Sequence, residues 1–403
     1  MAEMPTTGVG LEARIQRLFL AQGIFAERRL WPSASPDHRM LATDIDVLVS
    51  DYASGFHVTR RHAECKGGKV PLLDRILWLS GVKTLLHADA TYLVLAKFET
   101  EASDFARSLG VQLLNFKQLE AWEAAIPVIE SAWPCRSDYR SYDLAREVWM
   151  KISSEREAGA DWRFLREVLG FVEIDSWLSF HYRHLNRLLR LLEKISGDYE
   201  RISSDRHREL CSRYLLSALL VRLSQYLIAV CNDVSRLPAT DVETYLYQRL
   251  IYGDHDPQYV SGLIDGTVDW VKRALQKKGI ALPEEVDIKR LYEPPQYAAE
   301  FLELVNRLLE RSNESRYLPI AMETSQFGVS GMVSKLPRLK AASTAGDALA
   351  ALAKGFAIRA FSIPKGLSEP VYNDLRSTYS SKSEPSKVSG NKAQTQLPFP
   401  KEP

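Results

Sequence analysis

Hydrophobic residues recur in two periods along the first 125 residues. Leu11, Ile15 and Leu18 are spaced for one face of a helix, and Gly23 is placed to end it. Two strands then follow over residues 45–49 and 56–65, joined by a turn at Ser54-Gly55, which predicts a hairpin. The pattern continues as a helix over 71–87, a strand over 91–96, a helix over 101–109 and a strand over 111–116. We therefore expect a sheet flanked by helices.

From about Tyr142 the apolar spacing is helical, over residues 162–195, 205–230, 242–251, 258–276 and 296–311. Pro127 and Pro134 interrupt regular structure and mark a boundary. We expect an α/β domain over residues 1–125, a linker over 126–140 and an all-helical domain over 141–375. Residues 376–403 are Ser, Lys, Pro, Gln and Asn with few large apolar side chains, which predicts a disordered tail.

Composition is that of an ordinary soluble protein, with 45% hydrophobic and 26% charged residues. The formal net charge is +1, and the first 125 residues hold 14 Lys and Arg against 15 Asp and Glu. No overall basic field attracts nucleic acid, so any such contact must come from a local patch or from bound cations.

Four scattered cysteines form no CxxC pair, which favours a reducing cytoplasm over a secreted disulfide scaffold. The amino terminus lacks the pattern of a secretion signal. The apolar stretch 214–221 is closed by Arg222 and is shorter than the ~20 residues of a membrane span. The sequence therefore predicts a cytoplasmic protein without a membrane segment.

Acidic residues are placed on the predicted hairpin in a pattern that suggests chemistry. Strand alternation puts Asp44 and Asp46 on one face, with Ile45 and Val47 on the other. The same alternation puts Glu64 and Lys66 on one face of the next strand. If the strands pair as a hairpin, Asp46, Glu64 and Lys66 converge at one end of the sheet.

Two carboxylates and a lysine suit phosphodiester hydrolysis. A hard divalent cation neutralises charge on the phosphate and makes water nucleophilic, and Mg²⁺ prefers oxygen ligands. Asp46, Glu64 and the backbone carbonyl of Cys65 can supply them. The Lys66 ammonium can orient the attacking water and stabilise the developing charge.

The segment 11–120 resembles the PD-(D/E)xK restriction-endonuclease-like superfamily and is most similar to Mrr-like nucleases. Asp46, Glu64 and Lys66 match the signature positions, although no proline precedes Asp46. The resemblance implies a mixed central sheet, a DNA substrate and Mg²⁺, with Mn²⁺ as an alternative. It also implies a further acid on the first helix, where this chain has Glu12.

These observations predict a metal-dependent DNA endonuclease acting in prokaryotic restriction, antiviral defence or repair. The helical domain would recognise the substrate, a defence-complex partner or another copy of the chain. Two alternatives stay open: a non-catalytic scaffold that binds nucleic acid, and a nuclease that acts on RNA.

Three weaker patterns each have a plain interpretation beside the functional one. A basic set near the hairpin is either a phosphate-binding surface or a solvated face: Arg28, Arg29, Arg60, Arg61, His62 and Lys69. His181 and His184 are either metal ligands or ordinary helix histidines. In the tail, Gln394, Leu397 and Phe399 resemble the peptide by which bacterial proteins bind the DNA sliding clamp, or belong to plain disorder.

Overall fold

The structure is a computed structural model that describes residues 8–30, 43–126, 160–173, 181–199, 206–279, 293–327 and 336–371. The predicted tail over 376–403, with its clamp-like peptide, lies outside the described residues. So does the predicted linker apart from Ile126, and so does the side chain of Arg29.

The first third of the chain forms one five-stranded sheet with helices on its faces. The helices are α1 (Gly8–Ala21), α2 (Leu72–Leu85), α3 (Thr100–Ser108) and α4 (Phe116–Ala124). The strands are β1 (Phe25–Leu30), β2 (Ile45–Tyr52), β3 (Val58–Cys65), β4 (Ala90–Leu95) and β5 (Val111–Asn115). They lie side by side in chain order, antiparallel from β1 to β3 and parallel from β3 to β5. The sheet is therefore mixed.

The predicted hairpin and the end of the first helix are confirmed. β2 pairs antiparallel with β3, and Gly55 in the turn between them has a φ of 78°. Gly23 follows α1 with a φ of 77°. Its N–H donates to the Leu20 carbonyl, while Ile24 N–H donates to the Phe19 carbonyl. This is the Schellman arrangement, in which glycine is favoured because it adopts positive φ without a Cβ clash.

The predicted element order was wrong in omitting β1, which pairs with β2 at the edge of the sheet. The centre of this strand is charged, yet Glu27 is only 2% exposed and Arg28 only 3%. The Arg28 Nε donates to Gln16 of α1 at 3.0 Å. Glu27 accepts from Arg222, which lies 195 residues away along the chain. Local alternation cannot indicate such a strand, because the groups that bury its charges are distant in sequence.

The rest of the described chain is helical, as predicted. The helices are α5 (Ala160–Glu173), α6 (Tyr182–Gly197), α7 (Arg206–Val234), α8 (Val242–Tyr252), α9 (Pro257–Lys277), α10 (Ala298–Glu310), α11 (Ser312–Ser315), α12 (Leu318–Phe327) and α13 (Pro337–Ala360). Within α7, the stretch Arg208–Val234 is long and apolar enough to cross a membrane. Its apolar window is 94% buried inside the protein, which fits the core helix of a soluble protein.

One hydrophobic core joins the sheet to the helical region. A single cluster of buried side chains extends from α1 and the hairpin into α7, α12 and α13. A smaller cluster lies under α2 and α3 on the opposite face of β4 and β5. A fully buried ion pair at 2.9 Å links Arg222 of α7 to Glu27 of β1. The two parts are therefore packed as one body.

The contact between α12 and α13 requires a glycine. A Cβ at Gly346 would lie 2.7 Å from the Tyr317 carbonyl oxygen and 2.8 Å from the Ala321 Cβ. We expect Gly346→Ala to lower the free energy of unfolding by about 1–3 kcal/mol through overpacking. Gly81→Ala in α2 is the matched control, because a Cβ there meets nothing within 4 Å. It should raise stability by up to about 1 kcal/mol through helix propensity. Denaturation midpoints measure both, and equal shifts would refute the steric explanation.

Candidate active site

The predicted triad lies where β2 begins and β3 ends. Val47 of β2 pairs with Ala63 of β3 in the antiparallel ladder. Asp46 and Glu64, the next residues along, therefore lie opposite each other on the two strands. They share the sheet face of the Leu48–His62 pair because alternate residues point to the same side. Lys66 follows directly after β3, where its N–H donates to the Val94 carbonyl at 2.9 Å. The hairpin register therefore fixes the backbone on both sides of the site.

The three side chains meet within ion-pair distance. Lys66 Nζ lies 2.6 Å from Glu64 Oε1 and 3.7 Å from Asp46 Oδ2. Asp46 Oδ2 also accepts a 2.7 Å hydrogen bond from the Cys65 N–H. The convergence expected from strand alternation is thus present, and the Cys65 peptide holds the aspartate in place.

The site is mostly buried, and this changes its acidity. Asp46 is 8% exposed and Glu64 is 1% exposed, whereas the Lys66 side chain is 30% exposed. Burial raises the pKa of Asp46 above its usual value, and the Lys66 charge and the Cys65 hydrogen bond partly offset that rise. Lys66 is therefore the member of the triad that faces solvent most openly.

Arg75 of α2 belongs to the site, although the sequence analysis did not select it. Its guanidinium pairs with Glu64 Oε1 and stacks 3.7 Å from the centre of the Trp78 ring. Arg75 precedes Ile76, a residue of the buried stripe of α2. The sequence did carry a signal for this residue: an arginine beside the apolar face of α2, the helix that follows Glu64 and Lys66. Two carboxylates and two cations thus form a cluster, and Asp44 lies close enough to act electrostatically on Asp46 and Arg75.

The donor set suits a hard divalent cation. Asp46 and Glu64 present carboxylate oxygens from adjacent strands, and Glu64 Oε2 is buried with no hydrogen-bond partner. Among the described residues, no group of three or more His, Cys, Asp or Glu side chains could hold a metal. A cation here would therefore draw on the two carboxylates and on backbone oxygen, which is the predicted ligand set.

Glu12 and the Cys65 thiol lie on the α1 side of the sheet. Glu12 of α1 is 3.8 Å from Arg28, and its carboxylate charge helps to raise the pKa of Cys65. Burial is the main cause of that rise, followed by the charge of Asp46. The thiol stays protonated near neutral pH, so only the Cys65 backbone is suited to the site chemistry.

The structure corrects part of the predicted phosphate-binding surface. Arg28 is 3% exposed and His62 is fully buried, so neither lies on a surface. Burial, with the charges of Arg75 and Lys66, lowers the pKa of His62 to about 3. His62 is therefore neutral near pH 7, and its 4.0 Å approach to Glu64 is not an ion pair.

The other predicted basic residues are more accessible. Lys69 is exposed. Arg61 pairs with Asp51 at 3.1 Å, and half-buried Arg60 donates through its peptide N–H to Asp89 at 2.8 Å. Arg60 lies four residues before Glu64, about 13 Å along the strand. Of these three, Lys69 is the most exposed.

His181 and His184 contact each other edge to face, with ring centres 5.4 Å apart. His184 is buried, and His181 lies 3.8 Å from Asp254. They belong to no group of potential metal ligands among the described residues. The interpretation as ordinary helix histidines fits this arrangement.

Comparison with known proteins adds no relative. No protein-family model matches the chain, and no curated protein or solved structure is significantly similar to it.

Proposed function

We propose that this protein is a Mg²⁺-dependent deoxyribonuclease of the PD-(D/E)xK type. The observation that carries the proposal is the position of Lys66 Nζ, 2.6 Å from Glu64 and 3.7 Å from Asp46. The ammonium group is thus within ion-pair distance of both carboxylates at a strand end, among the three residues that match the signature. Supporting observations are the mixed sheet and the burial of both acids.

In the proposed reaction, the residues of this chain orient the reacting groups and stabilise the charge that develops on the phosphate. The Cys65 N–H fixes Asp46, so its carboxylate is oriented before substrate arrives. Lys66 is the solvent-facing cation and contacts the water or the phosphate oxygen on which charge develops. Arg75 is the second cation on Glu64 and would add positive charge beside a bound phosphate.

Asp46, Glu64 and the Cys65 carbonyl would hold Mg²⁺, which supplies charge neutralisation at the phosphate and a more acidic bound water. Mn²⁺ has a similar preference for oxygen ligands. The surrounding burial strengthens every electrostatic interaction at the site, because screening by water is reduced.

One observation favours the alternative of a non-catalytic nucleic-acid-binding scaffold. Lys66 and Arg75 already balance the charges of Asp46 and Glu64. Such a cluster needs no metal to neutralise its carboxylates, so it could serve only to hold the sheet end together. Cleavage separates the two functions, because a scaffold binds without cutting.

The direct test is metal dependence. We expect the full chain to nick supercoiled plasmid DNA in Mg²⁺ or Mn²⁺, and to show only background nicking in EDTA. The physical reason is that without a divalent cation the site has no group that makes water nucleophilic near neutral pH. Agarose gels read the conversion to open-circular and linear forms.

Single-stranded and duplex RNA are tested in the same assay. Cleavage of RNA with intact DNA would replace the deoxyribonuclease by the RNA-directed alternative. Absence of cleavage on every substrate, with nucleic-acid binding retained in EDTA, would establish the scaffold instead.

A further inference from the structure

A basic groove lies in the helical region, between α5, α6 and the end of α8. Its volume is about 490 Å³. Four of its lining residues are basic and come from α6: Arg183, Arg187, Arg190 and Lys194. Arg183, Arg190 and Lys194 are exposed, and Arg187 is half-buried. In a chain with a formal net charge of +1, this concentrates positive charge on one helix.

The spacing of these residues makes a line. Steps of four, three and four residues keep all four side chains on one face of α6. The opposite face is buried and carries leucines such as Leu185, Leu188 and Leu192. Eleven residues of helix rise about 16 Å. A line of this length can face several phosphates of a DNA duplex.

The charges of the groove are largely unneutralised within the described residues. Arg187 lies 3.5 Å from Glu167, and both side chains are more than a third exposed. Such a pair contributes about 0–1 kcal/mol to stability, so a phosphate can displace Glu167 from Arg187 at little cost. Among the described residues, Arg183, Arg190 and Lys194 form no salt bridge within 4.0 Å.

Aromatic rings set the positions of two of the cations. Lys194 Nζ lies 4.4 Å from the centre of the Phe164 ring, and the Arg187 guanidinium lies 5.5 Å from that of Phe171. Both rings are buried. These contacts reduce the entropy that the side chains lose on binding a ligand.

We propose that the α6 groove binds the phosphodiester backbone of duplex DNA. Asn186, the amide in the groove, is 7% exposed and donates through Nδ2 to the Arg249 and Leu250 carbonyls at 3.1 Å, so its amide donors are not offered to a base edge. The charged lining consists of the four cations and Glu167, which already pairs with Arg187, so the groove suits phosphates, which carry no sequence information. The groove is therefore a sequence-independent positioning site. That the ligand is DNA rests on the proposed nuclease function. That the ligand carries phosphates rests on the cations of the groove.

The test compares two charge-matched triple variants. Arg187→Gln, Arg190→Gln and Lys194→Gln remove three charges from the groove. Lys272→Gln, Arg273→Gln and Lys277→Gln remove three exposed charges of the same kinds from α9. Fluorescence anisotropy of a labelled duplex of about 20 base pairs is measured in EDTA from about 50 to about 200 mM salt.

We expect the groove triple to weaken binding at least about tenfold and to reduce the slope of log K against log salt by about 3. The α9 triple should bind like the wild type. Equal binding by both triples and the wild type overturns the proposal, and so does a wild type that binds a polyglutamate peptide but not DNA.

Measuring binding in EDTA keeps this outcome separate from the nuclease proposal, because metal-dependent cleavage does not occur there. Binding lost in the groove triple, together with a wild type that cuts nothing, would support the groove and remove the nuclease. Cleavage by the wild type, together with unchanged binding by the groove triple, would support the nuclease and remove the groove.

Discussion

Asp46→Asn, Glu64→Gln and Lys66→Ala should each reduce DNA cleavage by at least about a hundredfold, since each removes a preorganised charge from the reacting phosphate. Because the three groups act as one unit, the double variant Asp46→Asn/Lys66→Ala should be little worse than either single variant. Initial rates of plasmid nicking in Mg²⁺ measure the effect.

Asp51→Asn is the matched control for this series. Asp51 lies on the same strand as Asp46 but pairs with Arg61 on the opposite face of the sheet. Its nicking rate should stay within a few-fold of the wild type. Thermal denaturation shows whether each variant is folded. Wild-type nicking by all three site variants would end the catalytic assignment.

Arg222→Met is expected to have the largest effect on stability. Arg222 is 1% exposed, and it donates to Glu27 at 2.9 Å, to Gln225 at 2.7 Å and to the Val172 carbonyl at 2.9 Å. Removing it takes away the guanidinium that pairs with the buried Glu27 carboxylate. This should lower the free energy of unfolding by about 3–5 kcal/mol, a large share of the about 5–15 kcal/mol typical of a folded protein.

The double variant Glu27→Met/Arg222→Met tests the reason for that loss. If the cost comes from an uncompensated charge, replacing both partners by apolar side chains should recover most of the stability. The exposed pair of Arg359 with Glu300, 3.1 Å apart, is the control. Arg359→Met should change stability by less than about 1 kcal/mol. Guanidinium denaturation measures all three, and a mild effect of Arg222→Met alone would contradict the account.

The sequence located the triad because its geometry is local. Alternation decides which side chains share a face, and the Gly55 turn sets the register that places Asp46 beside Glu64. The helix before the hairpin and the later strands were predictable for the same reason, since each carries its own apolar period. None of these elements needed information from distant parts of the chain.

The features that the sequence did not reveal depend on contacts with residues elsewhere in the chain. Glu27 and Arg28 look like solvated charges until Arg222 and Gln16 are placed beside them. For that reason β1 was not predicted, and Arg28 was assigned to a surface that it does not reach. Arg75 was missed because a helix pattern shows which face is buried but not which carboxylate a flanking arginine meets.

The common core of the sheet and the helices limits how this protein can be engineered. Gly23, the residue that follows α1, sits against the backbone of Arg338 in α13, and Glu27 of β1 pairs with Arg222 of α7. An excised fragment ending near Ile126 would open these surfaces to water. The triad therefore cannot be transferred on the sheet alone. A fusion to a DNA-targeting protein has to include the helical region as well.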